Sequence, residues 1–258
     1  MTTAEGTYSP APGAAPIGRM LLAQTAFETK MLLRNGEQLL LTVIIPTVLL
    51  VLFSSVDVVS VTGPGNRVDF LAPGLLALAV MSTAFTGQAI ATGFERRYGV
   101  LKRLGASPLP RWALLTAKTG CVLVTEALQV TLLSLIALAL GWSPHGNPAT
   151  VVALLVLGTA AFSGLGLLMA GTLRAEATLA GANLVFILLL LAGGVIVPLE
   201  KFPSAVRGAL ELLPISALSD GLRAVLQHGA GIPWSDLGTL AVWAVLGLAA
   251  AARFFRWE

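Results

Sequence analysis

Six stretches of this chain are apolar for long enough to cross a bilayer: Leu39 to Val56, Phe70 to Phe94, Trp112 to Leu140, Ala149 to Leu173, Thr178 to Val197 and Leu237 to Phe255. A hydrocarbon core of about 30 Å takes roughly 20 residues of helix to cross, and a spanning segment must satisfy its own backbone hydrogen bonds. The expected fold is therefore all-α, an integral membrane protein with six transmembrane helices. The supply of charge agrees: 56% of residues are hydrophobic and only 11% charged, too little polar surface for a water-soluble globule. The first apolar run begins near Leu39 and can span, so it reads as retained in the mature chain.

Lysine and arginine set the expected orientation. Placing the amino terminus in the cytoplasm gives that side Arg19, Lys30, Arg34, Arg96, Arg97, Lys102, Arg103, Arg111, Lys118, Arg174, Arg253 and Arg256. The other side keeps Arg67, Lys201, Arg207 and Arg223. So uneven a division predicts a multi-pass protein of the cell membrane with both termini cytoplasmic. Residues 1–16 are rich in Thr, Ala, Pro and Gly without apolar period and read as a disordered tail. From Ile17 to Gln38, Met20, Leu21, Gln24, Phe27, Met31 and Leu32 recur at helical spacing while Arg19, Glu28, Lys30 and Arg34 take other faces. That pattern predicts a helix lying along the membrane interface, with an ordinary helix in water as the alternative. Residues 39–258 form the transmembrane domain.

The densest run of cations lies between the second and third spans: Glu95-Arg96-Arg97-Tyr98-Gly99-Val100-Leu101-Lys102-Arg103-Leu104. As one helix it would gather Val100, Leu101 and Leu104 within roughly a 100° arc and turn Arg96, Lys102 and Arg103 largely away. Gly105, Pro108 and Pro110 then stop it. A short basic helix hung between two spans suits docking to a cytoplasmic partner; a solvated loop whose cations only set topology is the other reading. A second unusual segment runs from Pro198 to Trp234, with Pro203, Pro214 and Pro233 as punctuation. Pro203 opens a helix with Val206, Ala209, Leu210 and Leu213 on one face, and a second, from about Ile215 to Gln227, gathers Leu218, Leu222, Val225 and Leu226. Half-length amphipathic helices of this kind are expected to dip into the membrane and return, or to lie flat on lipid as a small cap.

Chemistry is sparse. His145 and His228 are the only histidines and form no His-Glu-x-x-His arrangement, so no metal site is expected; nor does any Ser-His-Asp triad assemble. Cys121, the one cysteine, excludes an internal disulfide and reads as packing. The cations sit in loops without an aromatic face, so nucleic acid is not an expected partner. No Gly-x-x-x-x-Gly-Lys-Ser/Thr run is present, so if the chain serves ATP-driven work another subunit binds the ATP. Glu126, in the third span, is a functional candidate by its cost in lipid, or else a helix fastener through Thr125, Gln129 or Thr131. Lys118 is expected to snorkel toward the cytoplasmic edge. Gln88 and Asn183 read as hydrogen bonds between helices. Trp112, Trp142, Trp234 and Trp257 fall near span ends as headgroup anchors, with Trp243 deeper. Gly158, Ala161, Gly164, Gly166 and Gly171 would let the fourth span approach a neighbour closely.

Taken together, three features resemble the membrane subunit of type-2 ABC transporters, in particular the bacterial drug-resistance and antibiotic-export group. They are the six-span layout, the loop Glu95 to Leu104, and the region Pro198-Leu199-Glu200-Lys201-Phe202-Pro203 to Pro214 and Asp220-Gly221-Leu222-Arg223. The resemblance covers the chain from about Phe27 to its carboxyl end. It implies a permease, not itself an enzyme, that pairs with a second membrane subunit, expected to be an identical copy, and with two copies of an ATPase subunit that bind ATP and Mg, leaving this chain without a cofactor. By the same resemblance Glu95 to Leu104 is the ATPase-coupling helix, Ile17 to Gln38 the connecting helix, and Pro198 to Gly229 the re-entrant region, with hydrophobic drugs, antibiotics or lipids as cargo. The absence of an inverted repeat weakens the alternative, a proton- or ion-coupled secondary transporter using Glu126.

Overall fold

The structure is a computed structural model of the 258-residue chain and describes residues 15–34, 36–55, 67–104, 109–195 and 202–256. Most of the expected tail and of the loop from Asp57 lies outside the described residues, as do Gly105, Pro108, Pro198, Lys201 and Trp257. Among the described residues there are helices, turns and bends but no strand. The helices are α1 (Ile17–Arg34), α2 (Gly36–Ser55), α3 (Arg67–Val80), α4 (Gln88–Arg97), α5 (Val100–Leu104), α6 (Arg111–Ala139), α7 (Pro148–Thr172), α8 (Ala175–Ala192), α9 (Ser204–Glu211), α10 (Pro214–Leu226) and α11 (Trp234–Phe254). Five helical stretches are long and apolar enough to cross a membrane: Arg67–Arg97, Trp112–Ala139, Pro148–Thr172, Ala175–Ala192 and Trp234–Phe254. The remaining apolar run, Leu39 to Val56, falls on α2, a helix of 20 residues with Pro46 inside it. The protein is an all-α, multi-pass membrane protein.

Of the helix expected from Ile17 to Gln38, Ile17 to Arg34 form α1 and Gly36, Glu37 and Gln38 begin α2, while Asn35 between them lies outside the described residues. The second span is one continuous rod, Arg67–Arg97, but its middle is not α-helical. Met81–Gly87 is a π-helix, in which the Gln88 amide donates to Thr83 O, five residues back. Such wide turns are rare and are frequent at functional sites.

Around this rod the bundle closes by backbone-level contacts. α3 packs on α2, α6 and α10, and α4 on α7 and α8. α7 and α11 lie against each other for much of their length. There a Cβ added to Gly164 would stand 2.6 Å from the carbonyl carbon of Gly247 and from the amide of Leu248, and one added to Gly166 would stand 2.8 Å from Phe85 O in the π segment. The small residues of the fourth span thus serve packing. α7 itself begins as its sequence dictates, with Pro148 at the first turn and Asn147 Oδ1 accepting from the Ala149 amide at 2.9 Å.

The two half-length helices after α8 behave oppositely. α10 is enclosed by α3, α7 and α11, with Leu218, Leu222 and Val225 fully buried and Ser216, Ser219 and Arg223 buried as well. α9 has no buried residue; of the face expected there, Val206 and Ala209 are exposed, Leu210 is partly covered, and Leu213, just past the helix, packs against the core. Trp142, expected at the headgroups, is buried against the ends of α2, α3 and α6. Its loop folds back, with the Ser143 amide donating to Asp69 Oδ1 at 3.0 Å. Trp112 and Trp234 do stand exposed at their helix ends.

Candidate functional site

A cleft of ≈ 750 Å³ opens among α1, α2, the second-span rod, α6 and α8. That volume falls within the range of small-molecule sites. Leu49, Leu78, Ile90, Val122, Phe186 and Leu190 give it an apolar lining, into which the rod sets Ser82, Thr83, Thr86, Gln88 and Thr92. The π segment makes the middle of this wall. Gln88, Ala91, Thr92 and Glu95 follow at three- and four-residue steps, so one face of α4 continues it toward the basic end of the bundle.

At that end three charged side chains meet. Lys118 Nζ lies 2.5 Å from Glu95 Oε2 and 3.2 Å from Glu28 Oε2, and it is only 5% exposed. The expected snorkelling lysine is instead a buried one, held by carboxylates from α1 and from the end of the second span. Glu28, expected off the face that carries Leu21, Gln24 and Leu32, instead turns inward with them and Thr25, all partly covered. Thr25 Oγ1 donates to Ala117 O at 3.4 Å, and Gln24 Nε2 to Glu28 Oε1 at 2.9 Å. Leu22, Phe27 and Met31 point outward and are exposed, which leaves α1 an apolar face turned away from the bundle.

The polar residues of the spans sort differently from expectation. Glu126 accepts a hydrogen bond from Thr159 Oγ1 and so ties α6 to α7; Thr125 and Thr131 instead donate to carbonyls of their own helix. Thr83 Oγ1 donates to Gln129 Oε1 at 3.0 Å, fastening the π segment to α6. Asn183 Nδ2 donates to Leu179 O within α8. Gln88, expected to bond across helices, is 6% exposed and has no hydrogen-bond partner at either amide atom among the described residues. A buried amide left so is costly, and at a cavity wall it marks a place for a ligand or water.

The run Glu95 to Leu104 is divided by Gly99, at φ +70°, a left-handed value that glycine adopts without strain. Glu95, Arg96 and Arg97 complete the second span, Tyr98 and Gly99 turn the chain, and Val100 to Leu104 form the separate α5. Leu101 is fully buried in a small cluster with Leu114, Leu167, Ala251 and Phe255, while Lys102 and Arg103 face outward. Arg96 donates to Leu173 O at the carboxyl end of α7, a favourable place for a cation, and Arg97 pairs with Glu176 at the exposed start of α8. The basic stretch is thus fixed to the bundle at three points and displays two cations.

At the opposite end Arg223 is 7% exposed. Its Nη1 and Nη2 each donate at 2.7 Å, to Gly194 O and Val195 O, and its guanidinium stacks 4.2 Å from the centre of the Phe70 ring. Asp220 Oδ1 lies 3.3 Å from Nη1. One side chain therefore closes α10 on the end of α8 and the start of α3. Phe202 and Pro203 lead into α9, and Trp243 Nε1 donates to Leu212 O at 2.8 Å beside Pro214. Replacing Arg223 by methionine is expected to cost roughly 1.5–3 kcal/mol, since two carbonyls lose charged donors; thermal unfolding in detergent measures it.

The sequence reading missed Glu28 as a partner of Lys118 and missed the cleft. A signal was present: Ser82, Thr83, Thr86 and Gln88 cluster within two turns in the middle of a span. Among the described residues no group of His, Cys, Asp and Glu could hold a metal ion. No curated protein matches this chain. One family model does match it, over residues 20–226, and it is described as ABC-2 type transporter.

Proposed function

This chain belongs to the ABC-2 type transporter family, and from that premise we propose that it is the permease of an ATP-driven exporter. In this reading it forms the pathway for a hydrophobic drug, antibiotic or lipid, while a separate ATPase subunit, in two copies, binds ATP and Mg. A second copy of the chain completes the membrane half, and both termini face the cytoplasm.

The observation that carries the proposal is the pairing of a cleft of ≈ 750 Å³ with an outward-facing α5 rooted in the same bundle. ATP binding would draw the ATPase subunits together, and Lys102 and Arg103 would take up that motion. Leu101 would pass it to α6, α7 and α11, and Arg96 to the end of α7, shifting the bundle between accessible states. Glu126 sits between α6 and α7 and is absent from the residues that line the cleft, which favours a fastening role for it.

The test is co-purification with a P-loop ATPase. Reversing both exposed cations, Lys102→Glu with Arg103→Glu, is expected to lower the bound ATPase about tenfold or more while the permease stays monodisperse, because charge reversal at a docking surface turns attraction into repulsion. Assembly and transport at full strength in that variant would count against the reading.

A further inference from the structure

Taking the cleft as the transport site, and so resting on the function proposed above, we infer that it selects amphiphiles bearing one protonated amine and, about 10 Å away, an uncharged hydrogen-bonding group. The charge count points to the amine. Among the described residues the cleft wall carries Glu28, Glu95 and Lys118, two carboxylates against one ammonium. Lys118 Nζ reaches both, at 3.2 and 2.5 Å, so with both carboxylates ionised this partly covered trio carries one net negative charge. An ionised carboxylate offers about four acceptor positions, which leaves room for a second cation beside Lys118. A phosphate or carboxylate head would add like charge to this end and is disfavoured.

The uncharged group is set by Gln88. Its amide oxygen and nitrogen are buried and unpartnered among the described residues, one α-turn from Thr92 and two from Glu95 on the same cleft-facing side. Seven residues of α-helix rise about 10 Å, which sets the axial spacing between the positions of Gln88 and Glu95. Thr86 Oγ1, also buried and unpartnered, adds a further donor or acceptor at that level. Between and beyond them Leu49, Leu78, Val122, Phe186 and Leu190 take the apolar body. A fully apolar ligand would leave Gln88 unsatisfied, and a neutral amphiphile would leave the extra carboxylate charge unmet.

The full chain in nanodiscs of zwitterionic phosphatidylcholine, without ATPase, tests this with a dansyl-labelled long-chain primary amine and its N-acetylated, uncharged form, each corrected for binding to empty discs. The amine is expected to bind about tenfold tighter than the acetylated form, as a buried ion pair would give. Glu28→Gln is expected to erase that preference and keep affinity for the acetylated form; Gln88→Leu should weaken both probes by about fivefold, the worth of one hydrogen bond. Equal affinity of the two probes for the unaltered chain, or an undiminished preference in Glu28→Gln, would overturn the inference. So would a Gln88→Leu protein that binds both probes as before. Adding sphingosine, a membrane aminolipid without a phosphate, to the discs separates the sources: displacement of the amine assigns the site to a membrane aminolipid, and none assigns it to a soluble amphiphile. Because no ATPase is present, failure here leaves the permease reading standing, whereas loss of ATPase association with intact amine selectivity removes that reading and keeps the site.

Discussion

Protein carrying Lys118→Met is expected to lose about 3–5 kcal/mol of stability, the usual cost of stripping one partner from a buried ion pair. Lys118 is the sole cation among the described residues of the cleft wall, and Glu95 Oε2 at 2.5 Å and Glu28 Oε2 at 3.2 Å depend on it. With methionine there, two partly covered carboxylates face each other without a counter-ion, and α1, the second span and α6 lose their shared tie. Removing the carboxylates as well, as Glu28→Gln and Glu95→Gln on the methionine background, is expected to recover most of the loss. The three residues act as a unit, so their effects do not add. Thermal unfolding in detergent, followed by the fraction that remains monodisperse, reads both variants. The single variant should unfold on the order of 10 °C lower, and the triple one close to the original. A lysine that merely reached for water would give a small drop and no rescue.

The second large effect is expected at the α7–α11 crossing, and it is lopsided. Gly164→Ala places a methyl 2.6 Å from backbone atoms of Gly247 and Leu248, with no flexible side chain able to give way. The helices must part, and a cost of about 3 kcal/mol or more is expected, at the upper end for overpacking. The facing change, Gly247→Ala, meets Gly164 and Leu165 backbone only at 3.3 Å, and a shift of a few tenths of an ångström accommodates it. About 1 kcal/mol is expected there. Comparing the two unfolding midpoints checks the geometry directly: equal losses would mean the helices do not meet as described.

The contrast between these sites shows what a linear string of residues discloses. The spans were legible because bilayer thickness imposes one length on each, and the glycines of the fourth span because small residues serve close approach. The burial of Lys118 was not: its partners lie 90 positions earlier, at Glu28, and on another span, at Glu95, and no local spacing joins them. Arg223 was recognisable as part of an unusual region, but its grip on Gly194 and Val195 depends on where α8 ends in space. The division at Gly99 was readable, since glycine inside an amphipathic pattern is a stop signal that competed with the arc formed by Val100, Leu101 and Leu104. The π segment was silent, because Met81-Ser82-Thr83-Ala84-Phe85-Thr86-Gly87 is no less compatible with an ordinary helical turn.

That wide turn has a geometric consequence for the whole second span. A π turn is an α-helix with one residue too many, and one residue is worth about 100° of rotation and 1.5 Å of rise. The rod is therefore a screw cut with two threads. Its upper thread, seated against α2, α6 and α10, and its lower thread, seated against α7 and α8, can each fit their neighbours without either dictating the other's angle. Gln88 and Glu95 owe their aim to that offset, since an unbroken thread would wind both of them about a quarter-turn around the axis.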